Sequence, residues 1–322
     1  MPRSCRYFAM VAALIALAAI AAPAAGQAKV SVLIIDGQNN HGWAATTPVI
    51  KEMLEKTGRF TVDVLTSPPK LDPKKSPSDE EKKAAADAWA RFKPDFSKYK
   101  VVFSNYNGQA WPADVNTALE KYMADGGGLV IFHAANNAFT NWPEWTKMVG
   151  LLWQGNATGD RLSMDDSGKV VRTPKGEGPG AGHGPQWAYE VRVRDAEHPI
   201  TRGLPPTWRH AKDELYQGMR GPAENVHILV TALASPEYKG TGTNEPMVFT
   251  VTCGKGRVFV NLLGHDEKST VADPACAILM LRGTEWAATG KVTIPVPATL
   301  AADAAAAAAA TPAAPPAPAK KK

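Results

Sequence analysis

Cysteine is almost missing from this chain. Three occur in 322 residues, at Cys5, Cys253 and Cys276, and no two stand as CxxC. That spacing excludes a cysteine-built zinc or iron–sulfur centre. HxH and HExxH are also missing, so a histidine metal site would have to be assembled by the fold rather than by one helix. No segment concentrates lysine and arginine, which removes the electrostatic footprint of a nucleic-acid binder. No internal repeat is visible. The longest apolar run, Phe8 to Ala22, is about 15 residues, short of the ~20 a membrane-spanning helix needs.

The ends differ from the middle. Arg3 and Arg6 precede that apolar run, and small residues follow it in Ala24-Ala25-Gly26-Gln27-Ala28. The pattern predicts a signal peptide over 1–28, with cleavage after Gly26 or Ala28, a periplasmic or secreted protein, and no membrane anchor after processing. An uncleaved anchor is the alternative. From about Val296 the chain turns to alanine, proline and lysine, ending in Lys320-Lys321-Lys322, which predicts a disordered tail over 296–322. Setting aside Arg3, Arg6, the three terminal lysines and Asp303 leaves 31 basic against 30 acidic residues. Four of the five net positive charges therefore belong to the ends. Residues 29–295 are expected to form one domain. Cys253 and Cys276 could pair in an oxidising compartment or stay as buried thiols.

Lys29 to Ile35, Phe60 to Leu65, Tyr99 to Ser104 and Leu129 to Phe132 are short apolar runs, the pattern of buried parallel strands. Helical patterns lie between them, at about 46–57, 80–91 and 112–124. Alternating strand and helix predicts an α/β fold: a doubly wound, mostly parallel sheet of flavodoxin-like type, with inserted loops and extra strands. The inserts include a long glycine-rich loop over 160–184, with Gly182-His183-Gly184, and strands near 187–194, 227–232 and 246–252. A last strand starts at Gly256, and a helix over 273–288 closes the domain.

Such sheets bind ligands beyond the carboxyl ends of their strands. Asp36, His41, Asn105, Asn107 and His133 fall there. The stretch Gly126 to His133 has the form of a nucleophile elbow, a strand ending in one exposed side chain, but presents imidazole instead of thiol or hydroxyl.

Five segments in this order resemble one family: Asp36-Gly37 with His41, Gly126 to His133, His198-Pro199-Ile200-Thr201-Arg202-Gly203-Leu204, Asp213-Glu214-Leu215-Tyr216, and Leu263-Gly264-His265-Asp266. The chain is similar, from about Val30 to Ala288, to the ThuA-like, or trehalose-utilisation, family of the class I glutamine amidotransferase-like superfamily. In the amidotransferases the elbow carries cysteine and a later His-Pro-Glu supplies the base. Here the matching positions are His133 and His265-Asp266-Glu267. An imidazole cannot form the required thioester, so thiol amidotransferase and thiol-peptidase activities are excluded. The resemblance implies work on carbohydrate, in particular a 3-keto sugar or a trehalose-like disaccharide.

His41, His133, Glu214 and His265 are the candidate metal ligands, suited to zinc or a similar divalent ion. Without a metal, His133 and His265 are a candidate acid–base pair, with Glu214 as a third catalytic group. Asp36, His41, Asn105, Asn107, His183, Tyr216 and Asp266 are candidate substrate contacts. Among Trp43, Tyr106, Trp111, Trp142, Trp145 and Trp153, one or two should line the site, since an aromatic face stacks on a sugar ring. His198 is read as a turn residue, and His210 and His227 as surface or strand residues. No nucleotide cofactor and no nucleic-acid partner are expected, and the oligomeric state is left open. Isomerase, lyase and hydrolase all fit. So do a non-catalytic sugar-binding protein and a partner of a sugar dehydrogenase.

Overall fold

The computed structural model describes residues 28–271 and 273–302. The expected signal peptide lies outside the described residues apart from Ala28, as does the tail from 303 onward. The described start of that tail is not bare coil: 298–302 are helical and Leu300 is buried.

The strands, in chain order, are β1 (Val30–Asp36), β2 (Phe60–Thr66), β3 (Val101–Ser104), β4 (Gly128–Phe132), β5 (Arg161–Met164), β6 (Val170–Thr173), β7 (Trp187–Val193), β8 (Thr207–Asp213), β9 (Val226–Leu233), β10 (Asn244–Cys253) and β11 (Gly256–Asn261). All belong to one sheet. The run β2-β1-β3-β4-β11 is parallel throughout. Its central strands β3 and β4 are buried at every position, which is why they read as unbroken apolar runs. The inserted region continues the same sheet through antiparallel neighbours β10, β9, β7 and β8. The sheet is therefore mixed, a parallel α/β half joined to an antiparallel half.

The helices are α1 (Trp43–Lys56), α2 (Asp79–Arg91), α3 (Ala113–Ala124), α4 (Pro143–Val149), α5 (Glu267–Val271) and α6 (Pro274–Thr289). They cover both faces of the parallel half. Gly256 of β11 faces Met123 of α3, whereas Phe259, three residues on, lies against Gly283 of α6. An odd offset along a strand means opposite faces. The approach of α6 is close: a Cβ on Gly128 would stand 2.4 Å from the Ala287 carbonyl oxygen. Gly128→Ala should therefore cost about 1–3 kcal/mol by overpacking. Urea unfolding should show a lower midpoint with an unchanged slope.

A buried ion pair locks the amino edge of this half. Arg59 Nε lies 2.7 Å from Glu285 Oε1, and Glu285 Oε2 also accepts the Thr293 and Ile294 amides.

Two expectations are corrected, the loop over 160–184 and the start of the first helix. The loop over 160–184 contains the β5–β6 hairpin, which pairs with β10 and exposes Val170 and Val171. An edge hairpin with exposed apolar residues carries no clean burial alternation to read. β8 and α4 were not foreseen. Helix α1 begins three residues before Thr46, with Pro48 inside it; the Thr46 amide bonds back to Gly42. Cys253 and Cys276 are both free thiols.

Candidate metal centre

Four chain segments end at one point. His41 lies in the β1–α1 loop, His133 follows β4, Glu214 follows β8, and His265 follows β11. Their ligand atoms all lie within 4.8 Å of one another. The imidazole centroids are 4.8 Å apart for His41–His133, 4.6 Å for His41–His265 and 5.5 Å for His133–His265. Glu214 Oε2 is the hub: His41 Nε2 and His133 Nε2 each lie 3.6 Å away and His265 Nδ1 lies 3.2 Å away.

The outward nitrogens decide what the inward ones can do. His133 Nδ1 stands 2.7 Å from the Leu262 carbonyl oxygen. A carbonyl only accepts, so Nδ1 carries the proton, and in the neutral ring Nε2 presents a lone pair. His41 Nδ1 stands 3.1 Å from Asn40 Oδ1, which also accepts from Asn107 Nδ2 at 2.6 Å. With the Asn40 amide oxygen placed toward His41, the same tautomer follows. Oriented imidazoles of this kind are what metal-ligating histidines show.

The inward atoms lack partners among the described residues. His133 Nε2 and His265 Nδ1 are buried there without a hydrogen bond. Buried polar groups left this way are rare and need a reason. Lone pairs from three imidazoles and a carboxylate, facing one point, fit a divalent cation. Burial opposes ionisation of Glu214, but with no cation bound, protons on the facing nitrogens of His133 and His41 outweigh it and hold the carboxyl far below its usual range, so protons and a metal compete for the same lone pairs. Glu214 is thus a carboxylate, as a ligand must be.

His133 is held in an unusual backbone state. Its φ is +42°, in the left-handed region, at the start of a 3-10 turn over His133–Asn137. Non-glycine residues there are uncommon, and such strain clusters at functional sites. The elbow read from the sequence is present, with imidazole at its tip.

The cluster has a floor and a mouth. The His133 side chain is 2 % exposed, that of His265 27 %, and that of His183 38 %. His183 comes from the insert, with Nδ1 2.7 Å from the Gly184 carbonyl and Nε2 3.7 Å from Glu214 Oε1. Tyr216 packs its ring 4.5 Å from His133, and Trp153 packs 4.6 Å from Tyr216 and 5.6 Å from His183. Half-buried Trp153 is the tryptophan that borders the mouth. Trp111, Trp142, Trp145 and Tyr106 instead pack around Phe139, away from the cluster.

Other foreseen contacts are occupied elsewhere. Asp36 accepts the Thr66 hydroxyl at 2.7 Å, and burial raises its pKa. Asn105 donates to the Thr46 and Thr47 hydroxyls. Asp266 accepts from Ser269 at the start of α5. These three hold the surrounding loops. Asn107 acts through Asn40 on His41.

His210 is a strand residue, in β8, and not a surface one. It is fully buried, with Nε2 2.8 Å from Asp213 Oδ2 and Nδ1 3.0 Å from Asp273 Oδ2. Burial works against its charge, but the two carboxylates prevail and push its pKa up to about 9. A histidine at about 9 when folded and about 6.5 when unfolded stabilises fully below pH ~6.5 and loses that contribution as pH rises through 9. Stability should fall by about 3 kcal/mol across that window. Denaturant titrations at several pH values should show this decline in the wild type, and His210→Gln should lack it. Sequence reasoning missed this network. Asp273 was legible only as a helix start, and nothing along the chain connects it to His210.

A family model described as "ThuA: Trehalose utilisation" matches residues 31–287. A ThuA-like protein from Parabacteroides merdae ATCC 43184 is 42 % identical, with a TM-score of 0.74, over 84 % of this chain and 94 % of its own. A second, from Bacteroides uniformis ATCC 8492, is 20 % identical with a TM-score of 0.52, over 84 % and 96 %, and bears on the fold alone. No curated protein matches. With the family model covering most of its length, and with imidazole at the elbow, the chain belongs to the ThuA, or trehalose-utilisation, family.

Proposed function

We propose that this protein is an exported, divalent-metal-dependent enzyme acting on carbohydrate, in particular an oxidised (3-keto) sugar or a trehalose-like disaccharide. The observation that carries the metal part is the buried pair of partnerless nitrogens, His133 Nε2 and His265 Nδ1, facing the Glu214 carboxylate. His41, His133, Glu214 and His265 would hold the ion. When bound, it supplies Lewis acidity, drawing electron density from a substrate oxygen and lowering the pKa of water.

The chain's own groups divide the remaining work. His133 and Glu214 at the floor exclude water from the inner side. His183, at the mouth, places an imidazole where a substrate hydroxyl or keto oxygen would enter. Its Nδ1 is engaged by the Gly184 carbonyl, so Nε2 is the atom offered to substrate. Trp153 offers a ring face beside it, suited to the apolar face of a pyranose. The carbohydrate reading rests on the family description and on this aromatic border; export rests on the basic and apolar N-terminal sequence.

The direct test is incubation of the pure, metal-loaded protein with 3-keto-trehalose and related ketosugars, followed by mass spectrometry. A hydrolysed glucoside, an isomer or an eliminated product supports the enzyme reading and names the reaction class. Saturable binding without turnover would replace it with a sugar-binding protein.

A further inference from the structure

Glu214 and His265 come from segments about 50 residues apart, yet their ligand atoms lie 3.2 Å from each other. Neither side chain explains that placement. Asp213, fully buried directly behind them, does. Its Oδ1 accepts the Glu214 amide at 2.8 Å and the His265 amide at 3.1 Å. Its Oδ2 accepts the Gly264 amide at 2.7 Å and His210 Nε2 at 2.8 Å. One carboxylate thus receives four donors and ties the end of β8 to the loop after β11.

That carboxylate is itself anchored. His210 lies between Asp213 and Asp273, both acceptors, so it donates from both nitrogens. Asp273 Oδ2 also accepts Trp208 Nε1–H at 2.6 Å, while its Oδ1 accepts the Ala275 and Cys276 amides at the start of α6. The chain of contacts therefore runs from the long helix α6 to the main chain of two candidate ligands. A lone buried carboxylate would be costly; each charge here is paired and hydrogen-bonded.

We propose that Asp213, held by His210 and Asp273, is the positioning residue that brings Glu214 and His265 together. It touches neither ion nor substrate and acts only through the main chain of the two residues that would. The proposal rests on the metal reading for its consequence, but the staple itself can be measured without metal.

The test uses Asp213→Asn, His210→Gln and a remote control, Glu285→Gln, in the full chain. An amide side chain at 213 can keep only one acceptor oxygen. Either the Glu214 and His265 amides or the Gly264 amide and His210 then face a donor. Two readouts are taken: amide hydrogen exchange at Gly264 and His265 in metal-free protein, and zinc affinity by competition with a chromophoric chelator. Asp213→Asn should lose amide protection at both positions and bind zinc about 10–100-fold more weakly, the usual cost of removing an outer-shell partner. His210→Gln should shift both readouts the same way by less, and it carries the test if Asp213→Asn does not fold. Glu285→Gln should lower stability and leave zinc affinity alone.

Unchanged protection in the folded variants overturns the proposal. So does lost protection with unchanged zinc affinity, since Asp213 would then be structural only. Wild-type protein with no zinc affinity would defeat the metal reading instead, and the exchange data would still decide whether Asp213 makes the staple.

Discussion

His133→Ala should leave a folded protein that no longer retains a metal ion and has no measurable turnover. The argument starts from burial. His133 is the floor of the cluster, its Nε2 has no partner, and its Nδ1 is fixed by Leu262. Alanine removes an inner ligand, so the affinity loss should exceed the about 10–100-fold typical of outer-shell changes. The fold should survive, because the removed ring makes one hydrogen bond to the protein and the chain there already occupies a strained conformation. Elemental analysis after gel filtration and far-UV circular dichroism check both halves. His198→Ala is the matching control: His198 sits in a turn against Trp286, with Nδ1 accepting the Ile200 amide, and its loss should leave metal content unchanged.

Arg220→Met should separate the insert from the metal cluster. Arg220 is fully buried and, among the described residues, has no carboxylate within salt-bridge distance. Its guanidinium instead donates to main-chain carbonyls of Gly159, Thr173, Pro174, Glu177 and Pro179. The insert that it organises carries Trp153 at one end and His183 at the other. Methionine of similar length fills part of the space but leaves those acceptors without donors. Bonds to a charged group contribute about 1.5–3 kcal/mol each, so a loss of at least about 3 kcal/mol is expected. Kinetics should distinguish the two parts of the site: metal content stays near the wild-type level while kcat/KM falls, because the mouth loses its shape and the floor does not. Equal loss of both would mean that the insert supports the cluster directly.

How much of this could be read along the chain depends on the range of the forces involved. The parallel half was legible because its strands are buried on both faces and its helices alternate with them in sequence. The glycine before β4 and the imidazole after it marked the elbow. The convergence of His41, His133 and His265 followed from strand ends sharing one edge of a sheet. Glu214 needed more: it enters from the antiparallel half, and only its place in Asp213-Glu214-Leu215-Tyr216 singled it out. The residues that hold it are buried charges satisfied across long sequence distances, such as His210 between Asp213 and Asp273. Local pattern carries no trace of such pairings. The same limit applies to Trp153, which no periodicity separates from the tryptophans packed around Phe139. Asp36, Asn105 and Asp266 stand at strand ends as foreseen, but their side chains satisfy neighbouring hydroxyls and amides.

The claim on which everything else depends is that His41, His133, Glu214 and His265 bind one divalent ion. X-ray absorption spectroscopy on protein purified without chelator tests it most directly, together with elemental analysis of the same sample. About one equivalent of metal per chain is predicted, with imidazole nitrogen and carboxylate oxygen scatterers at about 2.0–2.2 Å and no sulfur. Catalytically active protein that contains no metal after dialysis against chelator would contradict it, and would leave the histidines to act as acid and base alone.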